Sequence, residues 1–239
     1  MTHPPALPHD PPKKIGEDLF VVHGSVQIMP IARLTRNMTI VRSQGELTLI
    51  NAVRLDESGL KSLEALGDVK HVLRLGPMHG MDDDFYVDRY EADFWSFEGG
   101  TTYTMPNITQ RLTEDGELPF PKAKLFAFDY LKEPEGAILM ERSPGVLLTC
   151  DSIQSYSTAP HMPYTAWLMQ RLLPLMGFPS KTIIGPIWVK KLATDREGIK
   201  SEFERLMKLN FDQLLAGHGT FLEKDAHKEL EQAFIKMFG

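Results

Sequence analysis

The chain has 239 residues with an ordinary hydrophobic share, enough for one large domain or two small ones with a substantial core. Its net charge of −6 argues against a nucleic-acid partner or an anionic membrane surface. One cysteine, Cys150, excludes an internal disulfide and a multi-cysteine zinc site, and favours a reducing compartment.

The first fourteen residues carry five prolines, which exclude a helix and any apolar signal core there. Residues 1–15 therefore read as an extended, proline-rich arm, and 16–239 as a single domain. No apolar run reaches the ~18 residues needed to span a bilayer, so the expectation is a cytoplasmic protein.

Residues 18–28 read as a strand. Residues 38–53 read as a hairpin turning at Ser43-Gln-Gly-Glu46. A helix opens at Asp56 or Glu57 and runs through Leu66, with Leu60, Leu63 and Leu66 on one face and Gly67 as a stop. Residues 69–75 form the next strand, ended by Gly76-Pro77. Asp82–Glu91 reads as a helix with an acidic start, and 93–97 as a short strand.

Residues 98–122 hold three glycines and three prolines and read as a long irregular segment, of the kind that shapes a site or a partner surface. A strand over 124–128 and a hairpin over 136–150 follow, the latter turning at Ser143-Pro-Gly145. Then come an aromatic- and Met-rich helix over 165–176, an amphipathic helix over 195–209, a strand over 211–216 and a last helix over 223–238. Each half begins with strand hairpins and ends with helix–strand units. That order predicts an α/β protein, a four-layer αββα sandwich with two mixed sheets face to face and helices outside.

Four polar clusters follow apolar strand-like runs, where sites collect in α/β scaffolds. The first is His79-Gly-Met81-Asp-Asp83-Asp84. Its carboxylates repel one another unless they are solvated, bound to a cation, or placed at a helix N-terminus, where each anion gains ~0.3–1 kcal/mol. The second is Cys150-Asp151-Ser152; such an aspartate can bridge metals, or simply cap a turn. The third is Gly217-His218-Gly219, where flanking glycines give an imidazole room to reach a ligand. The fourth, Glu133-Pro-Glu-Gly136, sits on an ordinary turn signal.

His23 and His71 lie within strands and read as structural, His161 lies in a proline-flanked loop, and Cys150 reads as a buried, inert thiol. No phosphate loop, Gly-x-Gly-x-x-Gly or Gly-x-Ser-x-Gly occurs, so neither a nucleotide cofactor nor a serine hydrolase has a positive signal.

Across roughly residues 18–239 these steps resemble the metallo-β-lactamase fold superfamily. There, a strand is followed by His-x-His-x-Asp-His, and later by a turn histidine, an aspartate after a hairpin and a histidine in a Gly-His-Gly-type step. His79, Asp83, Asp151 and His218 match in kind. Met81 and Asp84 stand where the motif's other histidines belong, and Glu133 is the nearest equivalent of the turn histidine.

The resemblance implies a metal-dependent hydrolase with an altered, mononuclear site. Its ligands would be His79, Asp83, Asp84, Asp151 and His218, with Glu133 as a further candidate and Asp83 as the catalytic group that orients or deprotonates water. Such an oxygen-rich set suits manganese, iron or magnesium better than the tetrahedral nitrogen and sulfur sites of zinc, which the family uses. The implied substrate is a small ester, thioester, lactone or phosphoester. The alternative is a non-catalytic member of the fold that serves as a binding or scaffold module.

Overall fold

The computed structural model describes residues 3–29, 32–156 and 182–239. Seven strands form the first sheet in chain order: β1 (Lys13–Gly16), β2 (Leu19–Met29), β3 (Ala32–Ser43), β4 (Glu46–Ile50), β5 (Asp68–Arg74), β6 (Asp93–Ser96) and β7 (Gln110–Arg111). β1 to β4 run antiparallel, while β4 to β7 run parallel. The parallel part needs crossovers. α1 (Glu57–Glu64) and α2 (Asp83–Tyr90) supply two of them. The Asp56 carboxylate accepts from the Gly59 amide at 2.8 Å and so caps α1.

The second sheet has the order β13–β10–β9–β8, from β8 (Ala123–Ala127), β9 (Gly136–Met140), β10 (Val146–Leu148) and β13 (Gln213–Leu215). A short pair, β11 (Ile153–Ser155) with β12 (Thr182–Ile184), stands beside it. α3 (Pro186–Leu192), α4 (Arg196–Leu206) and α5 (Ala226–Phe238) complete the chain.

Strand alternation builds the layers. Leu19 and Val21 of β2 face inward, against Ile138, Met140, Val146 and Leu148 of the second sheet. Phe20 and Val22 face outward, onto Leu60 and Leu63 of α1 and Tyr86 of α2. Likewise Leu139 and Leu147 turn to Trp188, Ile199, Phe203 and Leu230 on the other helical layer. Three apolar layers thus separate four structural ones, and the architecture is the αββα sandwich that the pattern predicts.

Most expected elements are present within a few residues. Five were not anticipated: β1, β7, β11, β12 and α3. β3 also begins earlier than expected. Its first half lacks apolar alternation because the side chains of Thr35, Arg36 and Asn37 serve the site below. The segment 98–122 is irregular apart from β7. The helix expected over 165–176 and His161 lie outside the described residues. The arm is extended along the first sheet: Asp10 N donates to the His23 carbonyl at 2.8 Å, and the Asp56 amide donates to His9 Nε2 at 2.9 Å. No helix among the described residues is long and apolar enough to cross a membrane.

Asn51 joins the two sheets. Its Nδ2 donates to the Thr149 carbonyl at 3.3 Å, its Oδ1 accepts from Leu75 N at 3.1 Å, and its φ is +54°. Asn51→Ala removes both bonds and strains a left-handed residue, so unfolding in urea should show a loss of roughly 3 kcal/mol. Asn51→Gly relieves only the backbone part and should recover about 1 kcal/mol of it.

Candidate metal centre

Three polar residues in the first half of β3 organise the carboxyl ends of β5 and β13. Thr35, Arg36 and Asn37 are all buried. Asn37 Nδ2 donates to the Ala216 carbonyl at 2.8 Å and the Gly219 carbonyl at 3.0 Å, while its amide donates to the Gly217 carbonyl at 2.8 Å. The Gly219 amide donates to Thr35 Oγ1 at 2.8 Å. Arg36 Nη2 donates to the His79 carbonyl at 2.8 Å, and its Nη1 pairs with Asp82 at 2.7 Å. The loops carrying His79 and His218 are therefore fastened to one strand.

Two glycines permit the approach. Gly219 has φ +91°, and a Cβ there would lie 1.7 Å from the Ser155 carbonyl oxygen. A Cβ on Gly217 would lie 2.9 Å from His79 Cε1, so any side chain at that position displaces the imidazole. Both conditions explain why His218 is flanked on each side by glycine.

His79, Asp151 and His218 meet in the space so defined. His79 Nε2 lies 3.2 Å from His218 Nε2 and 3.4 Å from Asp151 Oδ2, and His218 Nε2 lies 3.0 Å from Asp151 Oδ1. These are close to the ~3.3 Å between neighbouring donors of a tetrahedral ion with ligand bonds of about 2.0 Å. His218 Nδ1 lies 2.5 Å from the Thr35 carbonyl, which holds the proton on that nitrogen and leaves Nε2 for a ligand. One donor atom each from His79, Cys150 and Asp151 also falls within 4.8 Å of the others. The donor types and spacings fit a divalent ion.

The electrostatics are those of a buried anion between two imidazoles. Burial alone would lift the Asp151 carboxyl, but His79 and His218 outweigh it and hold it well below the carboxylate range. Burial pushes His79 down, against the pull of Asp151. In His218, burial is outweighed by Asp151 and the Thr35 carbonyl, and its pKa is raised.

Glu135 lies behind this group, in the turn from which the sequence pattern singles out Glu133 instead. It is fully buried, and burial together with the Asp151 charge pushes its carboxyl well up. Its Oε1 accepts from the Asp151 amide at 3.1 Å and the Ser152 amide at 2.6 Å. A signal did exist: an acid directly before the wholly buried strand Gly136–Met140 is costly unless it has a task.

The other expected ligands stand elsewhere. Asp83 is fully buried, but its Oδ2 accepts from Arg74 Nε at 2.6 Å. Arg74 in turn donates to the carbonyls of Tyr103 and Met105 at 2.9 and 2.8 Å. Burial outweighs Arg74 and leaves the Asp83 pKa raised. Asp83 thus tethers the irregular segment, where a water-activating role was expected. Asp84 is half-buried in the first turn of α2, where an anion is favoured. Glu133 accepts from the Thr101 and Thr102 amides at 2.6 and 3.3 Å, which leaves Glu135 as the acid of that turn beside the cluster. Among the described residues no hydrogen bond or ion pair joins Asp83, Asp84 or Glu133 to His79, Asp151 or His218.

The segment 98–122 walls a cavity of about 350 Å³ next to the end of β5. Arg74, Gly76, Pro77, Phe97, Tyr103 and Ile108 line it. Gly76 faces this cavity and also touches Glu135 and Cys150.

No family model matches the chain, and no curated protein matches it. Solved structures do. The mono-zinc form of the metallo-β-lactamase FIM-1 from Pseudomonas aeruginosa superposes with a TM-score of 0.65 at 9% identity, covering 98% of this chain and 97% of that one. A metallo-β-lactamase from Erythrobacter litoralis gives 0.63 at 9%, covering 94% and 92%. A flavo-di-iron protein variant from Thermotoga maritima gives 0.64 at 16%, covering 93% of this chain and 60% of that one. The chain has the metallo-β-lactamase fold.

The tethering role of Asp83 has a measurable consequence. Asp83→Ala leaves the Arg74 guanidinium buried without its counter-charge, and guanidinium chloride unfolding should show a loss of about 3–5 kcal/mol. Adding Arg74→Met should return part of that loss, because both charges then leave together.

Proposed function

We propose that the protein is a metal-dependent hydrolase that binds one divalent ion through His79, Asp151 and His218. The observation that carries this reading is the triangle of donors at 3.0 to 3.4 Å, with His218 Nδ1 anchored on a carbonyl. The mono-zinc lactamase of the same fold favours a single-ion centre by analogy.

A divalent ion held there supplies Lewis acidity and lowers the pKa of a water from ~15.7 toward ~7. The chain's own residues do the rest. Asp151, kept ionised by its imidazoles, supplies the negative charge that retains a cation. Thr35 and Arg36 hold the two imidazole loops in place. The cavity beside β5 receives a small-molecule ester, thioester, lactone or phosphoester.

The test is elemental analysis of protein purified without chelator, followed by assay on a panel of those four substrate classes. About one equivalent of zinc, iron or manganese is expected, with hydrolysis lost on chelation and restored by the metal. His218→Ala and Asp151→Ala should each reduce metal retention and lower kcat/KM by about 100-fold or more. Protein that holds under a tenth of an equivalent and takes up none of these ions refutes the reading and leaves a binding module on the same fold.

A further inference from the structure

We propose that the cavity beside β5 selects a substrate whose acyl group is uncharged and apolar, a neutral carboxylic ester, thioester or lactone, and turns away phosphoesters and carboxylate-bearing acyl groups. The inference rests on the hydrolase reading above and narrows its substrate class.

The charges on the wall cancel in pairs. Among the described residues that line the cavity, the charged ones are Arg74, Glu98 and Arg111. Arg111 Nη2 lies 3.0 Å from Glu98 Oε1. Arg74 is buried; its Nε donates to Asp83 Oδ2 at 2.6 Å, and its Nη1 and Nη2 donate to the Tyr103 and Met105 carbonyls. An anion that enters therefore meets two cations already matched by carboxylates, and brings its own charge close to those carboxylates. Stripping water from a phosphate or a carboxylate is costly unless a fresh counter-charge replaces it. An uncharged group escapes that cost.

The rest of the wall is neutral and its rim is apolar. Phe97, Tyr103, Ile108, Pro77, Pro106 and Pro134 give it apolar faces. Ile108 and Met105 are 38% and 45% exposed, and Met81, on the loop that carries His79, is 40% exposed. Gly80 brings these two segments together, since a Cβ there would lie 2.6 Å from Tyr103 Cβ and 2.6 Å from Arg74 Cζ. Large apolar side chains left in water beside a cavity mark a surface that a ligand covers. The same wall reaches the centre through Gly76, whose Cβ position lies 2.5 Å from Glu135 Oε2, on the acid that holds the Asp151 amide. At about 350 Å³ the cavity is at the small end of ligand sites, a fit for a medium-length aliphatic or single-ring aromatic acyl group.

The reaction on such a substrate is acyl transfer to water. The water oxygen bonds to the acyl carbon, the carbon–oxygen or carbon–sulfur bond to the leaving group breaks, and a water proton passes to the departing oxygen or sulfur. The products are an acid and an alcohol or thiol, and no electron is transferred.

The test compares zinc-loaded full-length protein on 4-nitrophenyl hexanoate, on the adipate half-ester of the same chain length and on 4-nitrophenyl phosphate. The hexanoate should be cleaved with a kcat/KM at least about 30-fold above that of the other two. Ile108→Lys sets an unpaired cation on an exposed part of the wall, and should move the hexanoate-to-adipate ratio toward the adipate by about tenfold, chiefly through KM. The wild-type comparison stands without the variant. Adipate or phosphate cleaved as well as the hexanoate overturns the neutral cavity and leaves the single-ion centre standing. So does a ratio that Ile108→Lys leaves unchanged, or metal-bearing protein that cleaves none of the three. Protein that retains no metal ends both readings.

Discussion

The polar first half of β3 is the constraint on which the site depends. A strand in a sandwich core is expected to alternate apolar and polar residues, and β3 does so only from Met38 onward. Before that point Thr35, Arg36 and Asn37 spend their hydrogen bonds on loops from distant parts of the chain. Each of these side chains would be costly in the interior if unpartnered. Their cost is offset only when the loops after β5 and β13 are docked, so folding of the sandwich and assembly of the centre are one event.

The acidic run after His79 belongs to the same arrangement. Asp82 is the counter-ion of Arg36 and Asp83 that of Arg74. Two buried arginines thus consume two of the three carboxylates. Arg36 fixes the His79 loop and Arg74 fixes the wall of the cavity, so these aspartates act on the centre through the arginines. Neutral pairing of this kind also leaves Asp151 as a carboxylate whose balancing charges are imidazoles, so a cation can replace a proton there.

Much of this was legible in the sequence, for definite reasons. Alternation at Leu19 to Val22 and along residues 136–148 exposed the sandwich, because apolar burial imposes period two. Gly217-His218-Gly219 stood out because its backbone requirements are local. The partners of an aspartate are not local. Nothing near Asp83 distinguishes a metal ligand from an ion-pair partner, since Arg74 is nine residues away and on another element. β3 was truncated for a related reason: its polar half is explained by loops that follow it by up to 184 residues. Glu133 and Glu135 share one turn before β9, and only distant partners separate them: the Thr101 and Thr102 amides for the first, the Asp151 and Ser152 amides for the second.

Burial also bears on what the centre can become. His79, Asp151 and His218 are each less than a tenth exposed, and Glu135 is closed off entirely. In such a place an ion, once bound, is screened little by solvent, and each donor counts for more than it would at a surface. A purely oxygen-ligated cation would need carboxylates that here are committed to Arg36, Arg74 and the amides after β10. The donors left at the centre are two imidazole nitrogens and one aspartate. Committing Asp82 and Asp83 to arginine therefore leaves a centre rich in imidazole nitrogen, a donor set that suits borderline cations better than hard ones.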